Sequence, residues 1–153
     1  MKILNSTTSI ITLVMEENEK NVSMIGGDKV EVIIVSEGAE SIDREAFRLC
    51  PNLKELHLPK SIKYLGDRIF KPDYSEVKII YEGSIEDFKK IDYEREVYIP
   101  GPYDRYPYYS DYGASSEFQR FYRLYDNYEM YCEVYCKEDS SQFTLGSKDN
   151  HLR

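Results

Sequence analysis

The side chains best suited to chemistry are few: two histidines, His57 and His151, and three cysteines, Cys50, Cys132 and Cys136. A nucleophilic site of the Ser–His–acid or Cys–His kind would have to recruit one of the two imidazoles, because the nucleophile needs an adjacent base. His57 stands between Leu56 and Leu58 in an alternating run. That turns it away from the core and makes it a surface residue of a sheet. Cys132-x-x-x-Cys136 has no second pair of ligands and so does not form the four-ligand set of a structural zinc site. On a strand those two residues sit about 13 Å apart, too far for a disulfide. Carboxylates are plentiful (Glu16 and Glu17, Glu94 and Glu96, Glu138 and Asp139), but none lies in the apolar setting that raises a pKa. Gly26-Gly27-Asp28-Lys29 lacks the longer spacing of a phosphate-binding loop and reads as a hairpin turn. The expectation is a non-enzymatic chain with no cofactor and no metal.

Recognition by a surface is what remains, and bulk properties narrow the partner. The chain has 153 residues, one domain by length and enough to bury a core. Hydrophobic residues make up 41 % and charged residues 31 %, so the chain folds rather than staying disordered throughout. A net charge of −8 argues against nucleic acid, whose binding needs Lys and Arg to displace counterions from phosphates. The sparse cysteines fit reduced thiols in a cytosol-like compartment, and no apolar run approaches the ~20 residues of a membrane span. Ile3-Leu4 gives way at once to Asn5-Ser6-Thr7-Thr8-Ser9, so no export signal is expected, and the sequons at Asn5 and Asn21 read as chance. The predicted location is cytoplasmic. Of fifteen Tyr, twelve lie between Tyr93 and Tyr135, so the aromatic excess belongs to one segment.

The elements that position these residues come from a repeat. Shifted by twenty-three residues, Val35 to Ile42 sets against Leu58 to Leu65, Ala46-Phe47 against Ile69-Phe70, and Ile33 against Leu56. A fixed period in the twenties marks the coils of a solenoid, each buried only by stacking on its neighbours. The short strands expected are Val32–Val35 and Glu55–Leu58, each followed by a turn and a second apolar pair. Asp43 to Cys50 then reads as one or two helical turns that Asp43 can cap. A degenerate third copy places Ile79, Tyr81 and Ile85 on schedule, followed by a helix in which Ser84 caps, Asp87 is third, and Ile85, Phe88 and Ile91 share a face.

Outside the repeats, residues 8–35 read as strands with turns, a β-hairpin cap over residues 1–29. Residues 30–92 hold the repeats and residues 93–145 form a Tyr-rich C-terminal cap, with a polar tail over 146–153. Within that cap, residues 93–113 read as a loop, 116–125 as a helix and 128–136 as a strand, which 142–145 can join across a turn at 137–140.

The stretch Ile42 to Gly66 resembles the bacterial BspA-like (Treponema-type) leucine-rich repeat, whose unit runs roughly Ile-Gly-x-x-Ala-Phe-x-x-Cys-x-x-Leu-x-x-Ile-x-Ile-Pro-x-x-Val-x-x-Ile-Gly. The likeness covers residues 30–70 and continues in weaker form over 77–91. Tyr81-Glu82-Gly83-Ser84-Ile85-Glu86-Asp87-Phe88 is similar to the Tyr-x-Gly-Thr-x-x-x-Trp segment that often closes such arrays, and Val134-Tyr135-Cys136-Lys137 to their terminal strand. The resemblance implies an α/β right-handed leucine-rich-repeat solenoid, with a short parallel sheet and short convex helical turns. It also implies a buried Cys50. Many such arrays are long, exported and implicated in adhesion, whereas this one has about two and a half repeats.

With Leu56 and Leu58 inward, the outward row is Glu55 and His57, flanked by Val32 and Ile34 one coil earlier and Lys78 and Ile80 one coil later. Three apolar side chains on a nominally solvent face call for a cover or a partner. The cover would be the chain's own Tyr-rich part. The partner would be another protein, with Tyr103, Tyr106, Tyr108, Tyr109 and Tyr112 as further anchors. The expected function is a protein-binding module. Its rivals are an acidic inhibitor that imitates nucleic acid in a basic groove, and a fragment of a bacterial cell-surface adhesin.

Overall fold

The computed structural model describes residues 1–66, 69–70, 77–93 and 132–145. Its strands are β1 (Lys2–Asn5), β2 (Ile10–Val14), β3 (Asn21–Val22), β4 (Val32–Val35), β5 (Ser41–Ile42), β6 (Glu55–Leu58), β7 (Tyr64–Leu65), β8 (Lys78–Tyr81), β9 (Asp92–Tyr93), β10 (Cys132–Cys136) and β11 (Ser141–Leu145), with helix α1 (Ile85–Lys89) before β9. From β2 to β10 successive strands alternate between two sheets. The larger sheet runs β1-β2-β4-β6-β8-β10-β11 and the smaller β3-β5-β7-β9. The pairings from β2 to β10 in the larger sheet are parallel, with an antiparallel strand at each edge, and every pairing in the smaller one is parallel. The chain is therefore α/β with a mostly parallel sheet, and the described residues form no closed barrel. No helix among them is long and apolar enough to cross a membrane.

Alternation dictates which side chains meet. On a strand, side chains point to opposite faces in turn, so parallel neighbours in register line like with like. Ile11, Ile33, Leu56, Ile79 and Val134 form one inward column, each at most 4 % exposed. Leu13 pairs with Val35, and Tyr81 pairs with Leu58 on one side and Cys136 on the other, giving a second buried column. Val22, Ile42 and Leu65 make the matching column of the smaller sheet. Burying each such aliphatic stabilises by about 1.5–3 kcal/mol. An exposed ion pair gives about 0–1 kcal/mol. The columns, not the surface charges, hold the molecule.

Two expectations are corrected. Within residues 1–29, an expected hairpin cap, β2 and β3 pair in parallel with β4 and β5, so the two parallel sheets already begin at Ile10 and Asn21. The hairpin that exists joins β1 to β2. Gly26 and Gly27 bond laterally to Leu49 in the next coil instead of reversing a hairpin. Residues 43–50 are not helical either. Glu45 adopts a left-handed φ of 58°, and the segment folds into successive turns. The reason lies in the donors: Phe47 N–H bonds the Ile69 carbonyl of the next coil, which a helix would have claimed for its own backbone. Asp43 accepts from Asn21 Nδ2 at 2.7 Å.

Polar groups tie the turns between successive strands. Ser61 Oγ accepts from Gly38 N–H at 3.1 Å and donates to the Ala39 carbonyl at 2.6 Å. Glu40 holds Lys20 on one side and Lys63 on the other, at 3.1 and 2.8 Å.

The C-terminal end is closed by sequence-distant groups. Ser84 and Asp87 form the anticipated capping box on α1, and Phe88 is fully buried between Tyr81 and Phe143 in edge-to-face contacts. The turn of the β10–β11 hairpin, also anticipated, reaches the same helix end. Asp139 Oδ2 accepts from Ile85 N–H at 3.1 Å, and Lys60 bridges Glu138 at 2.7 Å and Asp87 at 3.5 Å. Residues 43–54 and 66–77 lead from the smaller sheet back to the larger one, whereas the last such passage takes residues 94–131. The expected helix at 116–125, the loop of 93–113 and the tail of 146–153 lie outside the described residues, Tyr93 apart.

Two predictions follow from this packing. A Cβ on Gly66 would sit 2.3 Å from Arg44 N and 2.6 Å from the Asp43 carbonyl carbon, both backbone, whereas one on Gly38 meets nothing within 4 Å but must tolerate φ of +107°. Gly66→Ala should therefore cost about 3 kcal/mol in denaturant unfolding and Gly38→Ala about 1 kcal/mol; equal losses would contradict the close stacking of coils. Backbone and Ser84 bonds hold the Asp87 carboxyl below its usual range, and Ser141 and Ile85 N–H bonds do the same for Asp139. A depressed carboxyl pKa contributes stability that is complete above its unfolded value and is lost as pH falls through the folded one. Acidification below about pH 4 should thus lower hydrogen-exchange protection in β10–β11 before β4–β6, and simultaneous loss would count against this clasp.

Candidate functional site

The outward face of the larger sheet is built by the same registers as the core, one residue out of phase. Leu4, Thr12, Ile34, His57, Ile80, Tyr135 and Gln142 stand in one row across all seven strands. Ile10, Val32, Glu55 and Lys78 form the row beside it. Neighbouring side chains in a row are about 4.8 Å apart, so they touch. Ile10, Thr12, Val14, Val32, Ile34, Ile80 and Tyr135 are half-buried, and Lys78 is exposed.

The polar centre of this face is a pair on β6. His57 Nε2 lies 2.5 Å from Glu55 Oε1, with side chains 26 % and 37 % exposed. The strand neighbours of His57 are Ile34 and Ile80, which offer no nucleophile for its imidazole to activate. A shallow depression continues the face past Lys78, lined by Glu133, Val134, Tyr135, Gln142 and Phe143. A second depression, lined by Met24, Asp43, Arg44 and Tyr64, lies away from these rows.

The thiols are placed for packing. Burial pushes the Cys50 thiol up to about 11, and its Sγ sits 3.9 Å from the Ile25 carbonyl oxygen. Burial, with Asp139 and Asp87 nearby, pushes Cys136 up to about 11 as well. Neither forms a reactive thiolate at neutral pH. Among the described residues no group of three or more His, Cys, Asp or Glu could hold a metal ion.

Of the anticipated surface residues, Val32, Ile34, Glu55, His57, Lys78 and Ile80 are brought together as the repeat spacing requires. Tyr103, Tyr106, Tyr108, Tyr109 and Tyr112 lie outside the described residues. The spacing argument missed Leu4, Ile10, Thr12, Val14 and Tyr135. The offset from β2 to β4 is one residue shorter than that from β4 to β6, so the shift that aligns β4 with β6 does not bring β2 into line. Tyr135 reads from alternation alone as an outward residue, and the signal that sets its strand beside β8 is the resemblance of Val134 to Lys137 to a terminal strand.

Comparison with protein-family models, curated proteins and solved structures finds no match to this chain.

Proposed function

We propose that the chain is a short leucine-rich-repeat solenoid of the kind its sequence resembles, and that the outward face of its larger sheet binds another protein without catalysing a reaction. One observation carries this reading: Ile34 and Ile80 flank His57 in a single row that Thr12 and Tyr135 extend, while Val32 flanks its partner Glu55 in the row beside it. An apolar patch with a polar centre and an aromatic end is the composition of an interface core, where a few desolvated anchors carry most of the binding energy. Catalysis finds no support in the same rows, which pair the imidazole with a carboxylate and with aliphatics alone.

The rival reading, an acidic imitation of nucleic acid, is disfavoured by how the carboxylates are used. Glu31 pairs with Lys54, Glu40 with Lys20 and Lys63, Glu82 with Lys137, and Glu138 with Lys60. Such neutralised carboxylates do not present a phosphate-like array to a basic groove.

Replacement within the row tests the proposal. Ile34→Asp and His57→Glu should each weaken capture of the binding protein from native lysate by about 2 kcal/mol or more, the scale of a central interface anchor. Each should shift folding stability by no more than about 1 kcal/mol. Leu56→Asp, one position away and fully buried, should unfold the protein outright. If Ile34→Asp is as destructive to folding as Leu56→Asp, the face is core and the proposal fails.

A further inference from the structure

Among the described residues, nothing covers the strand that ends the larger sheet on one side. All four residues of β1 are exposed, and Ile3 and Leu4, at 46 % and 44 %, are two of the most exposed large apolar residues described. Edge strands are normally blunted by proline, bulges, short length or inward charges. β1 carries one charge, Lys2, at its start, and pairs with β2 without a bulge. The edges of the smaller sheet, β3 and β9, are only two residues long. The opposite edge, β11, is anchored through Phe143 on Phe88.

The backbone defines what can sit there. Along β2 and the residue before it, the carbonyls of Ser9 and Leu13 accept from Val32 and Ser36, on the β4 side, whereas the Ile10 carbonyl accepts from Ser6, on the β1 side. Even-numbered residues of β2 therefore bond to β1. By the antiparallel register, Leu4 opposite Thr12 and Lys2 opposite Val14 are the bonded pairs. Ile3 and Asn5 consequently aim their N–H and C=O groups away from the sheet. Only another extended strand satisfies donors and acceptors at that spacing.

We propose that this strand is β1 of a second copy, so that the protein forms a symmetric dimer through a continuous sheet with Leu4 on the two-fold axis. In that register Ile3 exchanges both hydrogen bonds with the partner's Asn5, and Asn5 with the partner's Ile3. Leu4 faces the partner's Leu4 as a non-bonded pair, with Cα atoms about 4.5 Å apart. Lys2 falls opposite the partner's Ser6, so no like charges are opposed. The alternative that sets Ile3 against the partner's Ile3 draws on Met1, outside the strand, and brings Lys2 against the partner's Leu4. The Leu4-centred register alone uses both free residues of β1. The outward row from Leu4 to Tyr135 then doubles across the axis. So short an edge buries little area, and each copy carries −8, so the dimer is weak, dissociating at micromolar to millimolar concentration, and strengthens with salt.

Cysteine substitution reads the register directly. Under mild oxidation Leu4→Cys should form a disulfide-linked dimer, because its Cα separation across the axis falls in the bonding range. Lys2→Cys, offset from its own copy, should give no more cross-linking than the unsubstituted chain. Ile3→Pro removes an N–H that faces away from β2 and so spares the β1–β2 bonds. In sedimentation it should weaken association about tenfold or more and abolish the Leu4→Cys cross-link, with the unfolding midpoint of each variant recorded alongside. Equal cross-linking at both cysteine positions, none above background at Leu4→Cys, or a dimer indifferent to Ile3→Pro would each overturn the proposal.

Discussion

Parallel strands in register leave no freedom in what stacks on what. Once Leu56 faces inward on β6, Ile33 and Ile79 must lie against it, and the same register commits Ile34, His57 and Ile80 to a common row on the other side. A slip of one residue would exchange the two sets, burying His57 and Glu55 and exposing two leucines. Burial of those aliphatics is what makes that exchange unaffordable, so the surface inherits its order from the core. Ser61, bonded to Gly38 and Ala39, and Glu40, between Lys20 and Lys63, refine this stacking, but their contributions are those of ordinary hydrogen bonds and exposed ion pairs.

The two ends of the larger sheet solve the same problem differently. Both finish in an antiparallel hairpin, which stops the parallel series. At the C-terminal end the hairpin turn is tied to a helix terminus, with Asp139 on Ile85 N–H and Lys60 between two carboxylates, and aromatic rings fill the space beneath. The N-terminal hairpin is tied at the start of its outer strand by the Met1 ammonium on Glu19, but Ile3 and Leu4 beyond it are exposed together with strand backbone. A sealed end and an open end on one sheet give the molecule a polarity that its composition does not suggest.

Much of the core was legible because period and alternation agree. Shifting the chain by one repeat finds β4, β6 and β8, and alternation then separates Leu56 and Leu58 from His57. The capping box of α1 was equally plain, since Ser84 and Asp87 have no competing partners of higher priority. Asp43 to Cys50 misled because its local pattern suits a helix, while the N–H of Phe47 is needed by Ile69 in the adjacent coil, a long-range demand no local pattern carries. The strands of the smaller sheet are two residues each, too short for alternation to register, so residues 8–35 read as strands with turns. β1 was missed for a related reason: Lys2–Asn5 is exposed throughout and offers no alternation to detect.

Cross-strand contacts measured by nuclear magnetic resonance in solution would test the stacking most directly. The account predicts close backbone proton contacts joining Ile33 to Leu56 and Leu56 to Ile79, with the Leu56 amide among the slowest to exchange. A Leu56 amide that exchanges freely, or contacts that pair Leu56 with a residue of opposite phase such as Ile34 or Ile80, would contradict it.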